Sequence, residues 1–147
     1  MKITRRVEFD SGHRIPNHES KCRNVHGHRY VLEATVTGPL ISEKGTSSEG
    51  MVIDFGSLKS IMTQYVAEPW DHAFLAWEDD PLCQVIKAFS GKVVELPAVP
   101  TVENLARIAF RRLVTPLRDK GLTLNQVRLY ETPNCWADYD GALTNEE

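Results

Sequence analysis

No run in this chain approaches the roughly 18 consecutive apolar residues that a membrane span needs. No apolar stretch follows Met1-Lys2-Ile3-Thr4-Arg5-Arg6, so no secretory signal is expected. Cysteine is scarce: Cys22, Cys83 and Cys135 are odd in number and irregularly spaced. That argues against a disulfide framework and makes a reducing cytoplasm the expected location. Basic charge is not in excess either. A net charge of -3 leaves no footprint for nucleic acid, although a local basic patch for a phosphorylated ligand stays open. Repeats and low-complexity tracts are absent. What is present is 41% hydrophobic and 25% charged residues over 147 positions, the composition of an ordinary globular protein. The length fits one domain, 1–147, with a core of its own.

Histidine is where the chain concentrates chemistry. Cys22-Arg23-Asn24-Val25-His26-Gly27-His28, with His13 upstream, puts three imidazoles and a thiol in a short window. His26 and His28 are two apart, so on an extended backbone both rings leave one face, with Cα atoms about 6.6 Å apart at ~3.3 Å per residue. Both can then reach one ion at about 2.0–2.1 Å. Three neutral nitrogens with an open fourth position describe a catalytic zinc site, and Zn2+ suits such a set. The plain alternative is that these are ordinary core or surface histidines, since five in 147 residues is not extreme.

The pattern of elements supports convergence. Residues 2–13 read as a strand with Ile3, Val7, Phe9 and His13 on one parity, provided Gly12 inserts no bulge. Residues 28–37 read as a second strand with Tyr30, Leu32, Ala34 and Val36 on one face, a parity that His26 and His28 continue. Antiparallel pairing of the two would gather the three rings, and the polar loop 14–25 would deliver Cys22. Gly38-Pro39 ends the second strand, and 42–50 is a turn-rich excursion. Asp54 stands as an N-cap before Phe55, Leu58, Ile61, Met62 and Tyr65, a helical stripe running to about Ala67 and broken by Pro69-Trp70. Residues 76–100 carry little periodic signal beyond a short strand at 93–96. Thr101 caps a helix with Leu105, Ala106, Ala109, Phe110, Leu113 and Leu117 on one face, and Gly121 stops it. Residues 123–132 form a strand with Val127, Leu129 and Glu131 on one parity, and Cys135 to Tyr139 pairs with it. The class is α+β: an antiparallel sheet with two helices on one face. A four-stranded sheet of this kind keeps two open edges, so a homo-oligomer that closes them is expected.

Cys22 has two readings. As a fourth ligand it would close the site and make it structural, the mark of a non-catalytic zinc-stabilised binding module. Off the metal, it sits beside a dication and between Lys21 and Arg23, which favours the thiolate and makes it a proton acceptor or nucleophile. Asp71-His72 is a carboxylate that can orient its neighbouring imidazole, or simply a loop cap beside an incidental histidine. Glu131, on the apolar face of its strand, is costly to bury unpaired. It is either a strand-end residue at the solvent boundary or an anchor for a ligand with two adjacent N–H donors. Cys83, Cys135 and His18 read as structural or surface residues, and Trp70, Trp77 and Trp136 as core or interface.

Six motifs in order, Phe9-Asp10-Ser11-Gly12-His13-Arg14, Cys22-x3-His26-Gly27-His28, Val52-Ile53-Asp54-Phe55, Asp71-His72-x2-Leu75, Pro100-Thr101-x-Glu103-Asn104-Leu105 and Glu131-Thr132, span nearly the whole chain. Through them it resembles the 6-pyruvoyl-tetrahydropterin synthase / 6-carboxytetrahydropterin synthase family. The resemblance implies the tunnelling fold, a ββααββ subunit whose trimers close a barrel and commonly double into hexamers, with sites at subunit interfaces. It implies zinc on His13, His26 and His28, Cys22 as proton acceptor, and Asp71 and His72 as its relay. It further implies that Glu131 grips the pterin and that the segment around Thr101 lines its pocket. Lys21, Arg14 and Arg23 are candidates for triphosphate contacts. The three-residue gap between Cys22 and His26 is similar to that of the bacterial-type carboxy branch, which converts 7,8-dihydroneopterin triphosphate to 6-carboxy-5,6,7,8-tetrahydropterin on the route to queuosine. The pyruvoyl branch, which retains the three-carbon side chain, is the alternative. The stretch from Ala76 to Val99 is longer than in compact carboxy-branch members.

Overall fold

The computed structural model describes residues 1–142, so the last five positions of the expected 1–147 domain lie outside the described residues. Strand β1 (Lys2–His13) pairs antiparallel with β2 (His26–Thr37) in unbroken register, Lys2 opposite Thr37 and His13 opposite His26. Gly12 therefore inserts no bulge. Loop 14–25 between them contains a short 3-10 turn at Lys21–Arg23.

Helix α1 (Phe55–Met62) starts where expected: the Asp54 carboxylate accepts from the Gly56 and Ser57 N–H groups. It does not stop at Pro69. A π-turn over Thr63–Ala67 leads into a last helical turn, α2 (Glu68–Trp70). The wider turn places Pro69 at the start of α2, where a missing N–H removes no essential bond. The buried face is Leu58, Met62, Val66 and Trp70, whereas Phe55 and Tyr65 of the expected stripe are 48% and 39% exposed.

Next comes a βαβ insert: β3 (Phe74–Trp77), α3 (Leu82–Ala88) and β4 (Val93–Leu96). β3 runs parallel to β1, pairing at Gly12 and His13, and β4 runs parallel to β3. Helix α4 (Val102–Arg118) follows, capped by the Thr101 hydroxyl, which accepts from the Asn104 N–H. Its expected apolar stripe is buried throughout. β5 (Thr123–Thr132) pairs with β2, and β6 (Cys135–Tyr139) closes the chain's last hairpin.

The sheet thus has six strands in the order β4-β3-β1-β2-β5-β6. It is antiparallel across β1, β2, β5 and β6 and parallel in the β3–β4 wing; β4 is the short strand expected at 93–96, whereas β3 and the joining of the wing to β1 were not expected. The α+β class stands. One face carries the main core, where Tyr30, Leu32, Ala34 and Val36 of β2 and Val127 and Leu129 of β5 meet the buried faces of α1, α2 and α4. Each fully buried leucine there contributes about 1.5–3 kcal/mol of transfer free energy. Helix α3 packs on the opposite face of the wing, where Cys83, Leu82 and Ile86 cover Phe74, Ala76 and Val93. No helix of the described residues is long and apolar enough to cross a membrane.

Candidate metal centre and its surroundings

His13 ends β1, His26 begins β2, and both lie on the face that Phe9, Tyr30 and Leu32 bury. The register sets His13 opposite His26 and Ser11 opposite His28, so three rings meet at one end of the sheet. Their potential ligand nitrogens all lie within 4.8 Å of one another. Gly27 lies between the two β2 histidines, and a Cβ there would stand 3.2 Å from the Ser11 carbonyl oxygen, a tight approach to the neighbouring strand.

Hydrogen bonding assigns the tautomers. His13 Nδ1 lies 2.8 Å from the Pro100 carbonyl oxygen and His26 Nδ1 lies 2.7 Å from that of Asn24. A carbonyl only accepts, so each Nδ1 carries the proton and each Nε2 is left with a lone pair. Those two Nε2 atoms face each other at 3.1 Å. Two nitrogens on one tetrahedral ion at about 2.0–2.1 Å sit roughly 3.3–3.4 Å apart, so the spacing fits. The third, His28 Nε2, is buried with no hydrogen-bond partner. Burial pushes the pKa of His13 and of His28 below the usual histidine value, which keeps both rings neutral and able to ligate. The facing lone pairs of His13 and His26 are mutually repulsive unless a cation lies between them, and His28 Nε2 has no other partner. The residues therefore fit a metal ion, held by His13, His26 and His28.

Cys22, half-buried on its 3-10 turn, does not join that group of ligand atoms. Glu131 does not join it either, although its carboxylate lies 3.6 Å from His28 Nε2 and 4.0 Å from His13 Nε2. The β2–β5 ladder ends at Val31 and Tyr130, and the β5–β6 register slips between Tyr130 and Thr132. Glu131 falls in that slip, which turns it out of the ladder. With His28, Arg29, Tyr130 and Thr132 it lines a cavity of about 720 Å3 opening between the diverging ends of β2 and β5. Thr101 is not among that cavity's lining residues; its hydroxyl is committed to the α4 cap.

Asp71 and His72 form the corner after α2. The Asp71 carboxylate accepts from the Asp10 N–H and from His72 Nδ1, each at 2.9 Å. These bonds, the Asp10 N–H first, hold its pKa below the ordinary aspartate value. The corner is tied down by Ser11, whose Oγ lies 2.8 Å from the Trp70 and 2.9 Å from the Ala73 carbonyl oxygens, and by the His72 N–H to Asp10 oxygen bond. His72 adopts φ +53°, a strained choice for a residue with a Cβ, and presents a largely exposed ring. It shares a shallow cavity of about 490 Å3 with His28. Within the chain His72 bonds Asp71 and not Cys22.

Arg14 is clamped to the buried Asp80 through Nε and Nη2. Lys21 and Arg23 remain exposed. Cys83 is buried with its thiol donating to the Trp77 carbonyl and Trp70 is core, in keeping with the structural roles expected of them, whereas Trp136 lies exposed under Arg128. Sequence reasoning missed Ser11, Pro100, Asn24 and Asp80. Three of these act through main-chain oxygens or a lone hydroxyl, for which residue type gives no signal.

The fold, an antiparallel four-strand core backed by helices, is shared with solved structures. An uncharacterized protein from Wolinella succinogenes superposes with TM-score 0.79 over 97% of this chain and 98% of its own, at 22% identity. The 6-pyruvoyl tetrahydropterin synthase of Caenorhabditis elegans does so with TM-score 0.69, 25% identity, and 97% and 96% coverage. The chain belongs to the 6-pyruvoyl tetrahydropterin synthase family, whose profile matches residues 2–142. Within it, the chain is 40% identical to the 6-carboxy-5,6,7,8-tetrahydropterin synthase of Rickettsia bellii over 94% of this chain and 99% of that protein.

Proposed function

We propose that this chain is a zinc-dependent 6-carboxy-5,6,7,8-tetrahydropterin synthase, a lyase acting on 7,8-dihydroneopterin triphosphate with release of acetaldehyde and triphosphate. The observation that carries the reading is the convergence of three imidazole nitrogens, with Cys22 outside their group of ligand atoms, in a chain 40% identical to a protein of that name. The three-residue gap between Cys22 and His26 supports the carboxy over the pyruvoyl product.

His13, His26 and His28 hold the ion, and the Pro100 and Asn24 carbonyls aim two of those rings. Bound there, zinc supplies Lewis acidity to the side-chain oxygens of the substrate and so acidifies the neighbouring C–H bonds. Cys22 takes a proton from the substrate side chain. The Asp71 carboxylate holds the His72 proton on Nδ1, which leaves Nε2 open to exchange protons with the cysteine. Glu131 accepts two parallel N–H bonds from the pterin and fixes its orientation. Because His72 and Cys22 do not bond within one chain, the relay is completed by a second copy. Assembly as a homo-trimer or homo-hexamer would also cover the edge of β1 before Gly12, which β3 leaves unpaired, and the outer edge of β6. The chain works as one domain, in the cytoplasm, on the route to queuosine.

Incubation with dihydroneopterin triphosphate and mass spectrometry of the products tests this directly. Acetaldehyde with 6-carboxytetrahydropterin is expected. A retained three-carbon side chain would move the protein to the pyruvoyl reaction, and no turnover by zinc-loaded protein would leave a binding module.

A further inference from the structure

The insert β3–α3–β4 reaches back to the candidate site through one ion pair. Arg14 Nε donates to Asp80 Oδ2 at 2.7 Å and Nη2 donates to Oδ1 at 2.6 Å. Asp80 is only 3% exposed. It sits in the turn between β3 and α3, where Oδ1 also accepts from the Leu82 N–H and the main-chain oxygen from that of Cys83. A carboxylate buried this far needs a cation, and a two-pronged guanidinium fixes direction as well as charge.

The two neighbours of Arg14 give the clamp its reach. On one side is His13. On the other, the Ile15 N–H donates to the Cys22 carbonyl at 2.8 Å, pinning the cysteine's own backbone to the base of loop 14–25. Among the described residues the loop's other bonds are internal or reach only His26: His18 to Ile15, Ser20 to His18, Arg23 to Ser20, Asn24 to Lys21, and His26 to Asn24. Parallel pairing of the insert with β1 ends at His13. Beyond that point, the Arg14–Asp80 pair carries the insert's grip onto the loop.

We propose that Asp80 is a positioning residue for the Cys22 thiol, acting through Arg14 and the Ile15–Cys22 bond to hold loop 14–25 against the histidine trio. The inference rests on the proposed role of Cys22 and gives the β3–α3–β4 unit a purpose, since it then sets where the proton acceptor stands. A displacement of about 1 Å in a reacting group can cost on the order of 100-fold in rate, so the link is strong enough to matter.

The test is Asp80→Asn, which keeps the size of the side chain and an oxygen for Leu82 but loses the charge that holds the fork. In the resting, zinc-loaded protein, iodoacetamide labelling of Cys22, followed by peptide mass spectrometry, should rise about tenfold as the loop opens more readily. Labelling of Cys135, an exposed thiol on β6, should not change and serves as the internal control. Zinc content should stay at that of the parent, and kcat should fall about 100-fold with KM within about twofold. Arg14→Lys, which retains charge without the fork, should show the same pattern to a smaller degree, and it carries the test if Asp80→Asn does not fold. Unchanged Cys22 labelling, or equal increases at Cys22 and Cys135, would overturn the proposal. The labelling needs no pterin, so its result is independent of which product the parent enzyme makes.

Discussion

At the scale of single residues, protonation and direction decide what this site can do. Carbonyl acceptors at Pro100 and Asn24 dictate which nitrogen of His13 and His26 is free, and burial keeps His13 and His28 neutral. Glu131 is the complementary case, a carboxylate turned out of its ladder and left with charge to offer a ligand. Replacing it with glutamine removes the charge while keeping the shape. A hydrogen bond to a charged group is worth about 1.5–3 kcal/mol, so Glu131→Gln should lower kcat/KM by roughly 10- to 100-fold. Steady-state kinetics together with zinc analysis check this, the zinc content being unchanged. The histidine trio was legible in the sequence because a strand's period of two is rigid: once His26 and His28 share a face with Tyr30 and Leu32, pairing with β1 must bring His13 to them. Its supports were not legible. A main-chain oxygen belongs to every residue, and Pro100 is 87 positions from the histidine it aims.

At the scale of elements, the long strands and α4 could be read because each has one buried face and a clear period. The wing could not. β3 is four residues long, and Phe74, Leu75 and Ala76 are all buried, because α3 covers one face and the main core the other. A strand buried on both sides loses its alternation. α3 is seven residues long, too short to show helical period against its surroundings. The helix continues through Pro69 against expectation because a π-turn has no local sequence mark. The Arg14–Asp80 pair joins the wing to the residue that follows β1, and its pH dependence has a definite sign. The Asp80 carboxyl lies below its usual 3.8, first because of its bonds to Arg14. A carboxylate with a depressed folded value adds stability that is complete above the unfolded value and lost as pH falls through the folded one. The parent should therefore lose stability relative to Asp80→Asn as pH drops below about 3.8, and the gap should be constant above pH about 5. Thermal unfolding of both proteins across pH 3 to about 6 measures it; a gap independent of pH would mean that the charge of Asp80 does not stabilise the fold.

At the scale of the whole molecule, the core and the metal centre are separate constructions. The main cluster runs through β1, β2, β5, α1 and α4, and the histidines cap one end of it. A structural zinc site would be needed for folding; in the function proposed above the metal is needed only for chemistry. Catalysis by this chain therefore turns on whether Cys22 stands free of the ion. The most direct measurement is zinc per chain by elemental analysis, on the parent and on Cys22→Ala, with acetaldehyde release followed in the same samples. Equal zinc in both proteins, with acetaldehyde from the parent alone, is the predicted result. Loss of zinc from Cys22→Ala, or a parent purified and reloaded without binding zinc, would contradict it.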